Sequence, residues 1–211
     1  MDRLFSMDNP VWRAIGRLVD LIWINLLTLI CALPVFTAGA AFTAMYDVLL
    51  RMAEDRGGAI APRFFSASKK NFVPATKLWL IALAAFAFYG YDLWLWHAGA
   101  MDGLGALKAL SLGVILLMLF LLIVLLHYGF SLTARYENGL GGTIRNAALL
   151  ALAFFPRSFC MGVLTFFPLA LTLLSDYFFW LWFLYGFAFP GWLIARLMAG
   201  VFARMQERED E

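Results

Sequence analysis

Five long apolar stretches without a charged residue run through this chain, and fifteen of its sixteen lysine and arginine residues can be placed on one side of them. A helix that spans the hydrocarbon core of a bilayer, about 30 Å thick, needs about 20 apolar residues. Loops rich in lysine and arginine stay on the cytoplasmic side of a membrane. The pattern therefore predicts an all-α chain that crosses the membrane several times in a fixed orientation.

The composition agrees with a single membrane domain over residues 1–211. Apolar residues make up 64% of the chain and charged residues only 14%, whereas a soluble domain carries about 25% charged residues. The basic residues flank apolar segments instead of forming a basic domain, which argues against nucleic-acid binding. We expect the first apolar run to be a retained helix and not a cleaved signal peptide.

The first apolar stretch is too long for one span and short for two. Leu21 to Tyr46 contains no charge over 26 residues, and Pro34 divides it. Because proline lacks an amide hydrogen and disfavours helix before it, we predict a first span at about 18–36. A short second helix at about 38–52 follows, rich in alanine and glycine, which let membrane helices approach closely. Whether this helix spans fully or is re-entrant stays open.

Four further spans are expected at about 75–95, 109–131, 158–174 and 178–198. The segment 146–156 is too short to span, so it is either an interfacial helix or the first turns of a helix kinked at Pro156. The loop between the second and third spans carries six basic residues. Within it, residues 63–73 predict an amphipathic helix on the membrane surface, with Phe64, Phe65 and Phe72 on one face.

The basic residues select the number of spans. Six spans with both termini in the cytoplasm leave Lys108 as the only basic residue on the outer side. A five-span arrangement without the second helix would put the six-basic loop opposite the N-terminal arginines, against the charge rule. The charge pattern therefore favours a second helix that crosses.

Several motifs resemble one family. Asn25 in the first helix precedes the turn Leu33 to Gly39 (LPVFTAG), then Ala44-Met45-Tyr46, Phe64-Phe65 and Lys69-Lys70-Asn71-Phe72. This series resembles the YesL-like family of bacterial membrane proteins, a domain of unknown function. The resemblance implies a multi-pass protein of the bacterial plasma (inner) membrane, often encoded near carbohydrate uptake and degradation systems, and it implies no known activity. It also marks Tyr46, Lys69, Lys70 and Asn71 as candidate motif or interaction residues.

The turn from Pro34 to Gly39 is the most distinctive motif. In one interpretation it is a tight helical hairpin, in which Pro34 ends the first helix, Thr37 caps the second and Gly39 permits close packing. In the other, it is a broken-helix backbone exposed to a ligand, as in transporters.

Two polar residues within the spans are further candidates. Asp47 is an ionisable residue in a membrane helix, which is by default a functional candidate. It lies one turn from Arg51, and an i,i+4 ion pair is a sufficient explanation. Asn25 has no charged neighbour, so its amide needs a partner on another helix. It either joins helices or lines a solute path.

No pattern for catalysis, a cofactor or a metal is present. His97 and His127 lie near opposite faces in the predicted topology, and neither has a ligand at metal-binding spacing. We expect both to be interfacial or hydrogen-bonded histidines. The chain lacks a Ser-His-Asp set, paired carboxylates and a phosphate loop, so we expect no enzyme activity and no cofactor.

Two functions from different classes remain. The first is a non-enzymatic accessory or scaffold protein for carbohydrate uptake, whose partners would be the lipid bilayer and subunits of an ABC-type carbohydrate transporter. The alternative is a small permease for a neutral sugar-like solute that works as a homo-oligomer. In this second case, the absence of deep charge favours a neutral solute over an ion.

Overall fold

In the computed structural model, which describes residues 10–100, 102–174, 180 and 183–209, the chain is built from helices joined by short connections. The helices are α1 (Pro10–Ala32), α2 (Ala38–Ala53), α3 (Ile60–Lys70), α4 (Phe72–His97), α5 (Ala106–Arg135), α6 (Leu140–Ala153), α7 (Phe155–Leu174) and α8 (Ala188–Glu209). Short 3-10 turns occupy Val35–Thr37 and Asp102–Leu104. No strand occurs in the described ranges, and the all-α prediction is confirmed.

Four helical segments among the described residues are long and apolar enough to cross a membrane: Ala14–Ala32, Phe72–His97, Ala106–Arg135 and Phe183–Arg204. Leu140–Ala153 and Phe155–Phe166 make a fifth candidate if they act together, although they are bent by 103° at their junction. Four to five apolar helices therefore identify a membrane protein.

α1 ends at Ala32, four residues earlier than the predicted limit at 36. Pro34 adopts an extended conformation, with φ −76° and ψ 109°. Because the proline ring disfavours helix in the preceding residue, the chain leaves the helix before Pro34. Other helix ends lie a few residues from the predicted limits; α5, for example, covers Ala106–Arg135 instead of 109–131.

α2 lies at the centre of the bundle, with α1, α3, α4, α5 and α8 packed around it. Twelve of its sixteen residues are buried. At about 1.5 Å per residue, the helix is about 24 Å long, shorter than the roughly 30 Å hydrocarbon core. Small residues from Ala38 to Ala44 let the surrounding helices approach it closely.

The amphipathic segment differs from the prediction. α3 covers Ile60–Lys70 and stops at Asn71, so Phe72 belongs to α4. Phe64 is fully buried against the bundle, whereas Phe65 is 53% exposed. The three phenylalanines therefore do not share one face. The helix expected over 63–73 is present as α3 but ends three residues earlier, at Lys70. Its apolar face packs on α1 and α2.

The segment 146–156 is divided between two helices. α6 ends at Ala153, and α7 starts at Phe155 with Pro156 in its first turn, where proline is tolerated. Ser158 donates to the Ala151 carbonyl at 2.9 Å, one of the carbonyls at the end of α6 that lack a helical partner. The junction is therefore a sharp bend and not the gradual kink of a continuous helix.

Two predicted features lie outside the described residues: Arg3, one of the N-terminal arginines, and the start of the last span at 178. The described part of the last span runs to Arg204, beyond the predicted limit at 198. We call the end of the bundle that carries Arg51, Arg63, Lys70 and Arg135 the basic end.

Candidate functional site

Three polar side chains form a hydrogen-bonded series between α2, α5 and α7. Tyr46 donates to Nδ1 of His127 at 2.6 Å, and Nε2 of His127 lies 2.6 Å from Oγ1 of Thr165. Thr165 already donates its hydrogen to the Met161 carbonyl at 2.9 Å, so it accepts from His127. The imidazole therefore carries its hydrogen on Nε2, and the Tyr46 oxygen keeps a free lone pair. We call Tyr46, His127 and Thr165 the polar triad.

The polar triad lines a cavity of about 220 Å³ between α2, α4, α5, α7 and the start of α8. Five aromatic rings form part of the wall: Phe42, Trp79, Phe86, Phe130 and Phe187. The Phe42 ring lies in the middle of this group, 5.4 Å from the Phe187 centroid and 6.0 Å from the Trp79 centroid. We call this space the aromatic cavity.

The aromatic cavity contains no fixed charge. None of the described residues that line it is aspartate, glutamate, lysine or arginine. In the same part of the chain, no three histidine, cysteine, aspartate or glutamate side chains are close enough to hold a metal ion. The wall therefore offers apolar ring faces and uncharged hydrogen-bonding groups to a ligand.

A broken helix forms one side of the aromatic cavity. Residues 183–185 are helical, Gly186 and Phe187 form a turn, and α8 begins at Ala188. Pro190 has no amide hydrogen, so it cannot close the helical bond to the Gly186 carbonyl. Gly186, Phe187 and Pro190 all line the cavity. The last span thus also contains an interruption of regular helix, as the chain does between α1 and α2.

Asn25 of α1 bridges this break. Its Nδ2 donates to the Phe183 carbonyl at 2.7 Å, and its Oδ1 accepts from the amides of Phe187 at 2.9 Å and Ala188 at 3.1 Å. In a regular helix the Phe187 amide would donate to the Phe183 carbonyl. Here the Asn25 carboxamide lies between these two groups and bonds to both. Asn25 is completely buried. These bonds give its amide the partner on another helix that a polar group inside the membrane requires.

The turn between α1 and α2 is connected to the cavity wall through Trp79. The indole nitrogen of Trp79 donates to the Val35 carbonyl at 2.7 Å. Thr37 occupies the N-cap position of α2 but makes no side-chain capping bond there. Its hydroxyl instead lies 2.6 Å from the Cys31 carbonyl and 2.7 Å from the Pro34 carbonyl. The expected cap of the second helix is wrong, because the hydroxyl bonds instead to the Cys31 carbonyl in the last turn of α1.

Gly39 lies where α2 meets the backbone of α4. A Cβ atom at this position would be 2.5 Å from the Ala75 carbonyl oxygen and 2.5 Å from Cβ of Trp79. Only glycine fits at that distance. Trp79, which forms part of the cavity wall, thus meets Gly39 at its Cβ and the Val35 carbonyl at its indole nitrogen.

Asp47 lies at the basic end and is paired mainly with a residue from another helix. Arg63 of α3 donates to both of its carboxylate oxygens, at 2.5 Å and 2.8 Å. The expected i,i+4 partner, Arg51, is 3.9 Å away. The hydrogen bond to Asp47 raises the pKa of Arg63, so the guanidinium remains charged. This bidentate pair fixes α3 to α2.

The Lys69-Lys70-Asn71 motif forms the joint between α3 and α4. Asn71 ends α3 with its amide on the Ala67 carbonyl and begins α4 with its carbonyl on the Ala75 amide, both at 3.0 Å. Lys70 pairs with Glu137 at 2.9 Å, and Lys69 is exposed. These three residues are at the basic end and do not line the aromatic cavity.

The candidate residues therefore divide into two groups. Tyr46 lines the aromatic cavity, and Asn25 and Gly39 contact parts of its wall, whereas Asp47 and Asn71 lie at the basic end. The hydrogen-bonded histidine expected at position 127 is confirmed, but its place in the cavity wall beside Thr165 was not predicted. The available signal was a histidine directly after a nearly pure aliphatic run, Leu112 to Leu126, in a position that requires a hydrogen-bonding partner.

A family model matches part of the chain. Residues 21–93, from α1 to α4, match the profile of the family described as "Protein of unknown function, DUF624". This segment contains the Pro34–Gly39 turn, Tyr46, Asp47 and the Lys69-Lys70-Asn71 motif. No curated protein and no solved structure matches the chain.

Proposed function

We propose a function from the aromatic cavity, because the family to which this chain belongs through residues 21–93, DUF624, is uncharacterised. YesL-like proteins belong to the same family. The protein binds a small uncharged solute within the membrane and lets it cross. Sugar-like solutes, with hydroxyl groups and apolar ring faces, are the first class to test.

The observation that carries this proposal is the combination of aromatic rings and the polar triad in one cavity. Ligand sites are typically apolar and aromatic, with a few placed polar groups that orient the ligand. The Tyr46 oxygen keeps a lone pair for a hydroxyl donor, while Phe42 and Trp79 offer ring faces. The volume of about 220 Å³ lies below the usual range of roughly 300–1,000 Å³, which favours a small solute.

The broken helix supports passage as well as binding. In transporters, discontinuous helices with Gly or Pro commonly form the solute site, because unwound backbone offers free polar groups. Here Gly186 and Pro190 supply that break at the cavity wall. All the described wall residues belong to one chain, so the proposal does not require a second copy. Binding of the solute needs no chemical step.

Tyr46→Phe tests the cavity. The substitution keeps the ring but removes the hydroxyl that donates to His127, and one lost hydrogen bond in such a site is expected to lower solute uptake about tenfold. The measurement is flux of labelled mono- and oligosaccharides into proteoliposomes. Tyr91→Phe is the matched control, because Tyr91 is 58% exposed on α4, and its flux should equal that of the unchanged protein.

Two results would contradict the proposal. Proteoliposomes of the unchanged protein that carry no mono- or oligosaccharide would remove the permease function. Equal flux in Tyr46→Phe and Tyr91→Phe would remove the aromatic cavity as the path.

We also propose that the chain crosses a bacterial plasma membrane six times, with α2 as the second crossing and both termini in the cytoplasm. Fifteen of sixteen basic residues on one side support this topology. In intact cells, an impermeant thiol reagent should label Lys108→Cys and leave Lys69→Cys unlabelled. Labelling of both positions, or of position 69 alone, contradicts the orientation.

A second candidate is an accessory protein for carbohydrate uptake, favoured by the outer face of α3. Phe65 is 53% exposed although Phe64 on the same helix is buried, and Lys69 lies one turn further on. An exposed aromatic residue beside a basic one fits a protein partner, such as a subunit of an ABC-type carbohydrate transporter. Crosslinking in native membranes should recover that subunit and lose it with Phe65→Ser; recovery of this chain alone would argue against the idea.

A further inference from the structure

A second cavity, of about 300 Å³, lies at the basic end between the α3–α4 joint and the loop from α5 to α6. Its lining is mostly polar and includes Lys70, Asn71, Tyr136, Glu137 and Asn138. We call it the polar cavity. It is separate from the aromatic cavity, with which it shares no lining residue.

Asn71 gives the polar cavity an unsatisfied hydrogen-bonding group. Only 7% of the residue is exposed, so it is more than nine-tenths buried. Its backbone is used by α3 and α4, but among the described residues none forms a hydrogen bond with its side-chain amide. Its side-chain amide is not one of the fully enclosed polar atoms, so it opens onto the cavity and is available to a ligand.

The start of α6 adds amide donors. Gly139, which lines the polar cavity, is the N-cap of α6 and has no side chain with which to cap it. The first helical bond joins the Thr143 amide to the Gly139 carbonyl at 2.9 Å, so the amides before Thr143 lack helical partners. The positive end of the helix dipole at this position favours an anion.

The side chains around the polar cavity are mostly donors too. Lys70 offers an ammonium group, Asn71 and Asn138 offer amides, and Tyr136 offers a hydroxyl. The one carboxylate, Glu137, pairs with Lys70 at 2.9 Å. Its side chain is 82% exposed, so it can move into solvent without crossing the protein interior.

We propose that the polar cavity binds a phosphate group, with Lys70 and Asn71 as its side-chain ligands. The phosphate displaces the Glu137 carboxylate from Lys70. Phosphate matches a donor-rich site with an ammonium and a helix N-terminus. The cavity is larger than the ion, so it holds a phosphate ester. Two sources share this chemistry: a soluble sugar or glycerol phosphate, and the headgroup of an anionic lipid.

The test uses the purified full-length chain and two probes. Glycerol 3-phosphate is titrated calorimetrically into protein in detergent, and protein in nanodiscs of phosphatidylglycerol or of phosphatidylcholine is compared by native mass spectrometry. Lys70→Gln should weaken binding of the probe about ten- to a hundredfold, since it removes a charge-assisted hydrogen bond. Glu137→Gln should tighten binding, because it removes the competing carboxylate.

Two further variants complete the design. Asn71→Leu should also abolish binding, but its buried position can affect folding, so Lys70→Gln at the exposed ion pair keeps the test interpretable. Lys69→Gln is the matched control, because Lys69 is an exposed neighbour outside the cavity lining, and it should bind as the unchanged protein does.

The outcomes separate the sources. Binding of glycerol 3-phosphate that depends on Lys70 supports a soluble ester, and selective retention of phosphatidylglycerol that depends on Lys70 supports a lipid headgroup. Binding of neither probe, equal weakening by Lys69→Gln and Lys70→Gln, or weaker binding by Glu137→Gln overturns the proposal. Sugar flux through the aromatic cavity is a different measurement, so either proposal can fail alone.

Discussion

Asn25→Leu is expected to destabilise the protein by about 2–4 kcal/mol, because it removes three hydrogen bonds that cross between α1 and the broken last span. Leucine has a similar volume but leaves the Phe183 carbonyl and the amides of Phe187 and Ala188 without their partner in an apolar interior. The measurement is the free energy of unfolding in mixed detergent micelles, followed by helicity.

Thr28→Val is the matched control for Asn25→Leu. Thr28 is one turn further along α1 and equally buried. Its one hydroxyl bond to a described residue goes to the Ile24 carbonyl of its own helix, at 2.7 Å. Its loss should cost less than about 1 kcal/mol. If Asn25→Leu kept full stability and lost only solute flux, Asn25 would be a solute ligand and not a structural bridge.

Gly39→Ala is expected to cost about 2–3 kcal/mol, since its methyl group would be 2.5 Å from the Ala75 carbonyl and from Cβ of Trp79. Neither obstacle is the end of a flexible side chain, so α2 and α4 must separate. The same movement displaces Trp79 in the aromatic cavity, and we expect solute flux to fall together with the free energy of unfolding.

Gly90→Ala is the appropriate comparison within α4. Among the described residues, no atom beyond the adjoining backbone of α4 lies within 4 Å of a Cβ added there. Alanine favours helix over glycine by about 1 kcal/mol. This variant should be neutral or slightly more stable. Equal losses for Gly39→Ala and Gly90→Ala would contradict the close approach of α2 and α4.

The sequence predicted those features that depend on the bilayer or on local chemistry. Long apolar runs identified the membrane helices, because lipid requires such segments. Pro34 predicted where α1 ends, with an error of a few residues, because a missing amide hydrogen acts locally. The small residues from Ala38 to Ala44 predicted a closely packed helix, although not that five other helices surround it.

Partners distant in the chain could not be predicted in this way. The neighbouring Arg51 explained Asp47 well enough, but Arg63 reaches both carboxylate oxygens after the loop folds back. Tyr46 and His127 are 81 positions apart, and no spacing rule connects them. Thr37 has the N-cap position of α2, but its hydroxyl bonds to the Cys31 carbonyl of α1 and makes no capping bond.

The central position of α2 has a consequence for biosynthesis. α2 leaves the ribosome early, but one of the helices that covers it, α8, starts only at Ala188. Until that last helix is made, one side of a short helix and the amide of Asn25 have no final neighbours. The bundle therefore closes only after α8 has been made, and a chain cut off before α8 leaves one side of α2 and the Asn25 amide without these neighbours.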